Sequence, residues 1–232
     1  MPTLLVTGAS RGLGLEFVRQ YSAEGWEVLA CARAPGQARE LQGLAEEPTR
    51  RVSLHRLDVT DFAAIDSLAH QLRDVAIDVL INCAGTMGGR GSSFGASDFA
   101  EWDGIFRVNA FAPLKMAEAF VAHLARGAHR KLVSLSTIMA SMGSNNMGGF
   151  YAYRASKAAL NAIMVSLAID LKRRHRITAA VLHPGWVRTD MGGPRAQIDP
   201  GTSVAGMRRV IGDLEPAQAG RFWTYDGSEL PW

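Results

Sequence analysis

Thr7-Gly8-Ala9-Ser10-Arg11-Gly12-Leu13-Gly14 joins two stretches of different period. Before it runs Leu4-Leu5-Val6, a short apolar run that reads as a buried strand. After it, Phe17, Val18 and Tyr21 fall on one face of a helix. A glycine turn from strand to helix leaves backbone N–H groups free at the helix N-terminus. Those donors, together with the helix dipole, suit a diphosphate. Gly8 permits the tight turn, Gly12 lets a phosphate approach the backbone, and Gly14 lets the helix pack closely on the sheet. The spacing Gly-x-x-x-Gly-x-Gly is neither G-x-G-x-x-G nor a P-loop, because no Gly-Lys-Ser/Thr follows.

Outward from this turn, strand and helix patterns alternate. Strand-like apolar runs occur at 28–31, 52–57, 79–82, 132–135 and 177–182, with a last one at 222–225. Helical periodicity occupies 17–23, 65–72, 105–124, 155–171 and 203–211. The alternation predicts an α/β fold: a doubly wound parallel sheet of about seven strands with helices on both faces, forming one domain over residues 1–232. Strands buried on both faces read as continuous apolar runs, as Asp78-Val79-Leu80-Ile81-Asn82 does. Glycine and serine gather at 85–97 and 141–149, and glycine with proline at 192–201. Each cluster follows a strand, so all three are expected at the carboxyl edge of the sheet, where open α/β sheets bind ligands.

Composition narrows the function. Of 232 residues, 47% are hydrophobic and 20% charged, which is ample for a core. The net charge of +3 is too small to point to nucleic acid or a membrane surface. The one dense basic run, Lys172-Arg173-Arg174-His175-Arg176, ends a helical pattern, where cations offset the helix dipole. Cys31 and Cys83 read as small buried hydrophobes in a reducing compartment. The histidines and cysteines lack metal-ligand spacing, so no metal site is expected. No stretch approaches a membrane span and no basic leader precedes the first strand. The expectation is a cytoplasmic protein.

Tyr153 and Lys157 stand four apart at the start of a helical pattern and so share a face. Tyrosine is a poor acid–base group near neutrality, with an ordinary pKa of about 10. A nearby ammonium stabilises the phenolate and lowers that value. Such a pair can trade a proton with a carbonyl or alcohol oxygen.

Thr7-Gly8-x-x-x-Gly12-x-Gly14, Asn82-Cys83-Ala84-Gly85, Val108-Asn109, Tyr153-x-x-x-Lys157 and Pro184-Gly185 occur in this order. Together they resemble the short-chain dehydrogenase/reductase family over essentially the whole chain, which implies a single-domain Rossmann fold. Within the family, three stretches look like the branch of C-factor and sniffer-like carbonyl reductases. They are Tyr151-Ala152-Tyr153-Arg154-Ala155-Ser156-Lys157, the run from His183 to Met191, and the run from Tyr225 to Trp232.

The resemblance implies residue roles. Gly8, Ser10, Gly12, Leu13 and Gly14 would line the coenzyme diphosphate. Asp58, with Val59 beside it, would meet the adenine. Asn82, Ala84 and Gly85 would sit against the adenosine ribose. Asn109 would kink a helix so that its carbonyl holds a water linked to Lys157, and Lys157 would hold the nicotinamide ribose. Tyr153 would be the general acid in reduction. Val187 and Thr189 would contact the nicotinamide carboxamide, placed by the Pro184-Gly185 turn. The family's catalytic serine is replaced: in the Ser136-Thr137 pair, Thr137 takes that place. Threonine keeps the hydroxyl but is stiffer at χ1. Strand alternation would send Ser136 to the opposite face.

Relatives that prefer NAD carry an acid after the second strand; here Leu29-Ala30-Cys31-Ala32-Arg33 has none. Arg11 and Arg33 can both reach a 2′-phosphate, which favours NADP(H) over NAD(H). Met87, Met142, Met147, Phe150, Trp186 and Met191 fall in loops expected to border an apolar substrate pocket. The expectation is therefore a homodimeric or homotetrameric carbonyl reductase or alcohol dehydrogenase acting on a small carbonyl or alcohol. The alternative is a coenzyme-binding signalling protein.

Overall fold

Seven apolar runs pair side by side, all parallel, into one sheet. In the computed structural model, which describes residues 1–89 and 93–232, the strands are β1 (Thr3–Thr7), β2 (Glu27–Ala32), β3 (Arg51–Arg56), β4 (Val79–Asn82), β5 (Lys131–Leu135), β6 (Thr178–His183) and β7 (Phe222–Thr224). Their order is β3-β2-β1-β4-β5-β6-β7. The glycine- and serine-rich stretch 85–97 lies partly outside the described residues.

The helices are α1 (Gly12–Ala23), α2 (Arg39–Glu46), α3 (Phe62–Gln71), α4 (Phe99–Phe106), α5 (Ala112–Arg126), α6 (Tyr151–His175) and α7 (Pro200–Asp213). Successive strand residues point to opposite faces, and the core divides accordingly. Leu5, Leu29, Leu80 and Leu132 pack with Ile65, Met116, Phe120 and Leu160 from α3, α5 and α6. Leu4, Val28, Ile81 and Val133 pack with Phe17, Leu41, Val204 and Met207 from α1, α2 and α7. This is the doubly wound architecture that the alternating pattern predicts. No helix among the described residues is long and apolar enough to cross a membrane.

Three elements differ from the sequence reading. The helical pattern at 105–124 is two helices joined by a π-turn, Arg107–Phe111. Pro113 follows in the first turn of α5 and has no N–H to donate to the carbonyl of Asn109, four residues earlier. The helix expected at 155–171 runs from Tyr151 to His175, so Tyr153 lies inside its first turn. The short α2, which buries only Leu41, has too few apolar positions to be read from periodicity.

The chain runs outward from β1 to β2 and β3, then returns to β4 on the other side of β1. The carboxyl ends of β1 and β4 therefore flank the point where strand order reverses, which is where such sheets open a crevice. Thr7 ties the two ends together: its Oγ1 accepts the N–H groups of Cys83 (3.1 Å) and Ala84 (3.2 Å).

Candidate active site

A cleft of about 480 Å³ opens over these strand ends. Its floor is the glycine turn, with Ser10, Arg11 and Leu13 beside the three glycines. Gly8 adopts φ +71°, and a Cβ there would stand 2.9 Å from the Cα of Ala84. A Cβ on Gly14 would lie 2.2 Å from the carbonyl oxygen of Gly8, so only glycine allows α1 to start this close to β1. The result is a trough of backbone lined by the first turn of a helix, a fit for the diphosphate of a dinucleotide.

The remaining wall comes from strand ends. Arg33 follows β2, Asp58 and Val59 follow β3, Ala84 and Gly85 follow β4, and Pro184 and Thr189 follow β6. The Asp58 carboxylate accepts the N–H (2.9 Å) and hydroxyl (2.7 Å) of Thr60. These two bonds hold its pKa below the ordinary value, and the charge of Arg33 adds to them. Asp58 thus closes a turn and also faces the cleft.

At the other end, Tyr153 and Lys157 project from one face of α6, both buried. Lys157 donates from Nζ to the carbonyl of Leu135 (2.9 Å). Burial pushes the ammonium down to about 8, with a small opposing effect from Cys83. Burial also pushes the Tyr153 phenol up to about 12, against a hydrogen bond with the Thr137 side chain. Here burial outweighs the hydrogen bond at Tyr153, while the Lys157 ammonium is engaged with Leu135.

The Ser136-Thr137 pair also departs from expectation. β5 ends at Leu135, so strand alternation does not extend to the pair. Ser136 lines the cleft, and its Oγ is buried without a partner. Thr137 accepts the N–H of Met139 (3.2 Å) and bears on Tyr153. Ser136 therefore faces the same cleft as Tyr153, and Thr137 contacts Tyr153 itself.

Asn109 is buried in the π-turn. Its Oδ1 accepts the N–H of Thr86 (2.9 Å), and its Nδ2 donates to the Thr86 carbonyl (2.7 Å) and to Ser156 Oγ (3.0 Å). Ser156 in turn donates to the carbonyl of Tyr153 (2.9 Å). A Cβ on Gly85 would stand 3.4 Å from Asn109 Oδ1 and 3.5 Å from Lys157 Nζ, so this glycine is the spacer between the two side chains.

Not every expected residue faces the cleft. Asn82 lies behind the wall, donating to Ser134 Oγ (3.2 Å) and linking β4 to β5. Gly185, at φ +81°, packs against Ile198 and Tyr225, and Val187 bridges to Ile198 through its backbone. These two shape the loop that carries Thr189. Conversely, Cys83, read as a buried hydrophobe, is half-buried and contributes to the wall, its thiol pushed up to about 12 by burial. Thr86 and Ser156 were missed as the holders of Asn109. Their only signal is position, directly after Asn82-Cys83-Ala84-Gly85 and directly before Lys157.

Met142, Met147, Phe150, Trp186 and Met191 are exposed on the loops that follow β5 and β6. Met191 joins the cleft wall, whereas Met87 lines a separate hollow with Trp102 and Tyr151. Trp186 is fixed by a bond from Nε1 to the carbonyl of Gly192 (2.9 Å).

A family model described as short chain dehydrogenase matches residues 2–199. C-signal of Myxococcus xanthus is 45% identical over 156 residues, covering 67% of this chain and 93% of that protein. The structure of carbonyl reductase Sniffer of D. melanogaster is similar over the full length of both chains, at 33% identity and a TM-score of 0.92. That of the NADPH-bound carbonyl reductase from chicken fatty liver is similar over 100% of this chain and 99% of that one, at 31% identity and a TM-score of 0.92.

Proposed function

This chain belongs to the short-chain dehydrogenase/reductase family of oxidoreductases, and from that premise we propose that it is an NADP(H)-dependent carbonyl reductase or alcohol dehydrogenase. The observation that carries the reading is that Tyr153 and Lys157 line one glycine-floored cleft, with Thr137 against Tyr153 and Asn109 buried beside Lys157. The bound coenzyme supplies or takes the hydride. Thr137 donates its hydroxyl to the substrate oxygen and holds it beside the phenol. Tyr153 gives its proton to that oxygen in reduction and takes it back in oxidation. Lys157 holds the coenzyme ribose and favours the phenolate when one forms. Asn109 fixes Thr86 and Ser156, and so the near wall of the site.

The preference for NADP(H) rests on the lack of an acid after β2 and on Arg11 and Arg33 at the cleft. The NADPH held by the chicken reductase agrees with it. Met191 on the cleft wall, with exposed Met142, Met147, Phe150 and Trp186 on the loops after β5 and β6, suits an apolar carbonyl compound. A homodimer or homotetramer through α5 and α6 fits the exposed Phe111, directly before α5, and Ile169 on α6. The likeness to C-signal favours a second reading, a coenzyme-binding signalling protein.

One screen separates the two: NADPH oxidation followed over aldehydes, ketones, diketones and quinones. Turnover of one or more classes is expected. Tight NADPH binding with no turnover of any class would favour the signalling reading.

A further inference from the structure

The two lips of the cleft meet at a charged contact. Arg11, in the glycine turn, donates from Nη1 to Asp190 Oδ2 at 2.9 Å, although the two stand 179 positions apart in sequence. Next to it, a Cβ on Gly12 would stand 3.4 Å from the Thr189 methyl, so the turn and the loop after β6 already touch. Both partners of the ion pair border the cleft and both are largely exposed to solvent.

The direction of the contact matters. In the sheet order, β2 lies on one side of β1, whereas β6 lies three strands away on the other. Arg33 stands at the β2 end, where its charge is felt by Asp58. Asp190 stands at the β6 end. An Arg11 side chain drawn to Asp190 is turned away from the end where Arg33 awaits a 2′-phosphate. One guanidinium cannot serve both anions in the same position.

We propose that Asp190 is a determinant of coenzyme choice: it holds Arg11 across the cleft, and a 2′-phosphate gains Arg11 only by displacing it. This rests on the NADP(H) reading above. NADPH must break the ion pair to gain the phosphate contact, and NADH has no phosphate to offer and leaves the pair intact. The carboxylate therefore narrows the gap between the two coenzymes. Exposed pairs of this kind are weak, so the effect is about two- to fivefold in affinity.

Calorimetric titration of NADPH and NADH into the parent, Asp190→Asn, Arg11→Met and the double variant tests this. Asp190→Asn is expected to tighten NADPH about two- to fivefold, to leave NADH unchanged, and to have no effect in the Arg11→Met background. An equal gain for both coenzymes would overturn the proposal, because plain repulsion between Asp190 and the diphosphate common to both would explain it. A gain that persists without Arg11 would overturn it as well. If Arg11→Met leaves NADPH affinity at the parent value, the role of Arg11 in coenzyme choice fails, and this proposal with it. Failure of the Asp190 arms alone leaves that role standing.

Discussion

Thr137 and Ser136 are neighbours with different surroundings, and that difference is measurable. Thr137 bears on Tyr153, whereas Ser136 offers a buried hydroxyl with no partner to the cleft. Thr137→Val keeps the shape and removes the hydrogen bond to the substrate oxygen, so turnover is expected to fall by ~10²-fold. Thr137→Ser is expected to stay active. Ser136→Ala removes a group that has no partner until a ligand arrives, so it is expected to weaken ligand binding and spare the rate constant. Steady-state kinetics on the three variants separate these outcomes; a collapse of turnover in Ser136→Ala beside an active Thr137→Val would reverse the assignment.

Lys157 gives a second test at this scale. Its folded pKa of about 8 lies below the ordinary 10.5, because burial penalises the ammonium. Below pH 8 the folded and unfolded chains both hold the proton and the burial cost stands. Between about pH 8 and 10.5 the unfolded chain holds more protons, so stability rises with pH in that window. The stability difference between Lys157→Met and the parent should therefore shift in the parent's favour by on the order of 3 kcal/mol across it. Urea denaturation at a series of pH values measures this; a difference that stays constant with pH would count against a desolvated ammonium. The identities of Tyr153, Lys157 and Asn109 were legible because spacing and neighbours mark them. The state of Tyr153 was not, because it depends on how much protein covers the phenol, which no local pattern encodes.

Among the elements, the β1–turn–α1 unit was the most legible. Its glycines are required by clashes with backbone, which substitution cannot relieve by moving a side chain. Gly14→Ala would drive a Cβ into the Gly8 carbonyl, so α1 must move off the sheet. The expected result is a loss of coenzyme affinity of ten-fold or more, about 1.4 kcal/mol at the least, with lowered thermal stability. Isothermal titration and thermal melts of this variant check it, and unchanged NADPH affinity would show that the close start of α1 is not what forms the trough. The π-turn at Arg107–Phe111 was less legible. The apolar period runs straight through it, and the break was marked only by Pro113 and by the family resemblance that implied a kink at Asn109. The end of β5 at Leu135 was invisible for a similar reason: neither Ser136 nor Thr137 breaks a strand, so no local signal marks where pairing stops.

Across the whole molecule, the alternation of strand and helix patterns was enough to give the parallel sheet and its two packed faces. Buried parallel strands are apolar throughout, and each helix carries one apolar stripe. What local patterns could not give were contacts between distant segments, such as Arg11 with Asp190 and Asn109 with Thr86, because tertiary packing alone brings them together. In the proposed function, the assembled cleft reduces a carbonyl with Tyr153 as proton donor. The most direct test is NADPH oxidation by Tyr153→Phe, on a carbonyl that the parent reduces, with NADPH affinity measured on the same preparation. Turnover is expected to fall by ~10²-fold or more, with NADPH affinity close to that of the parent. Near-parental turnover in Tyr153→Phe would contradict it, because the proton would then come from another group.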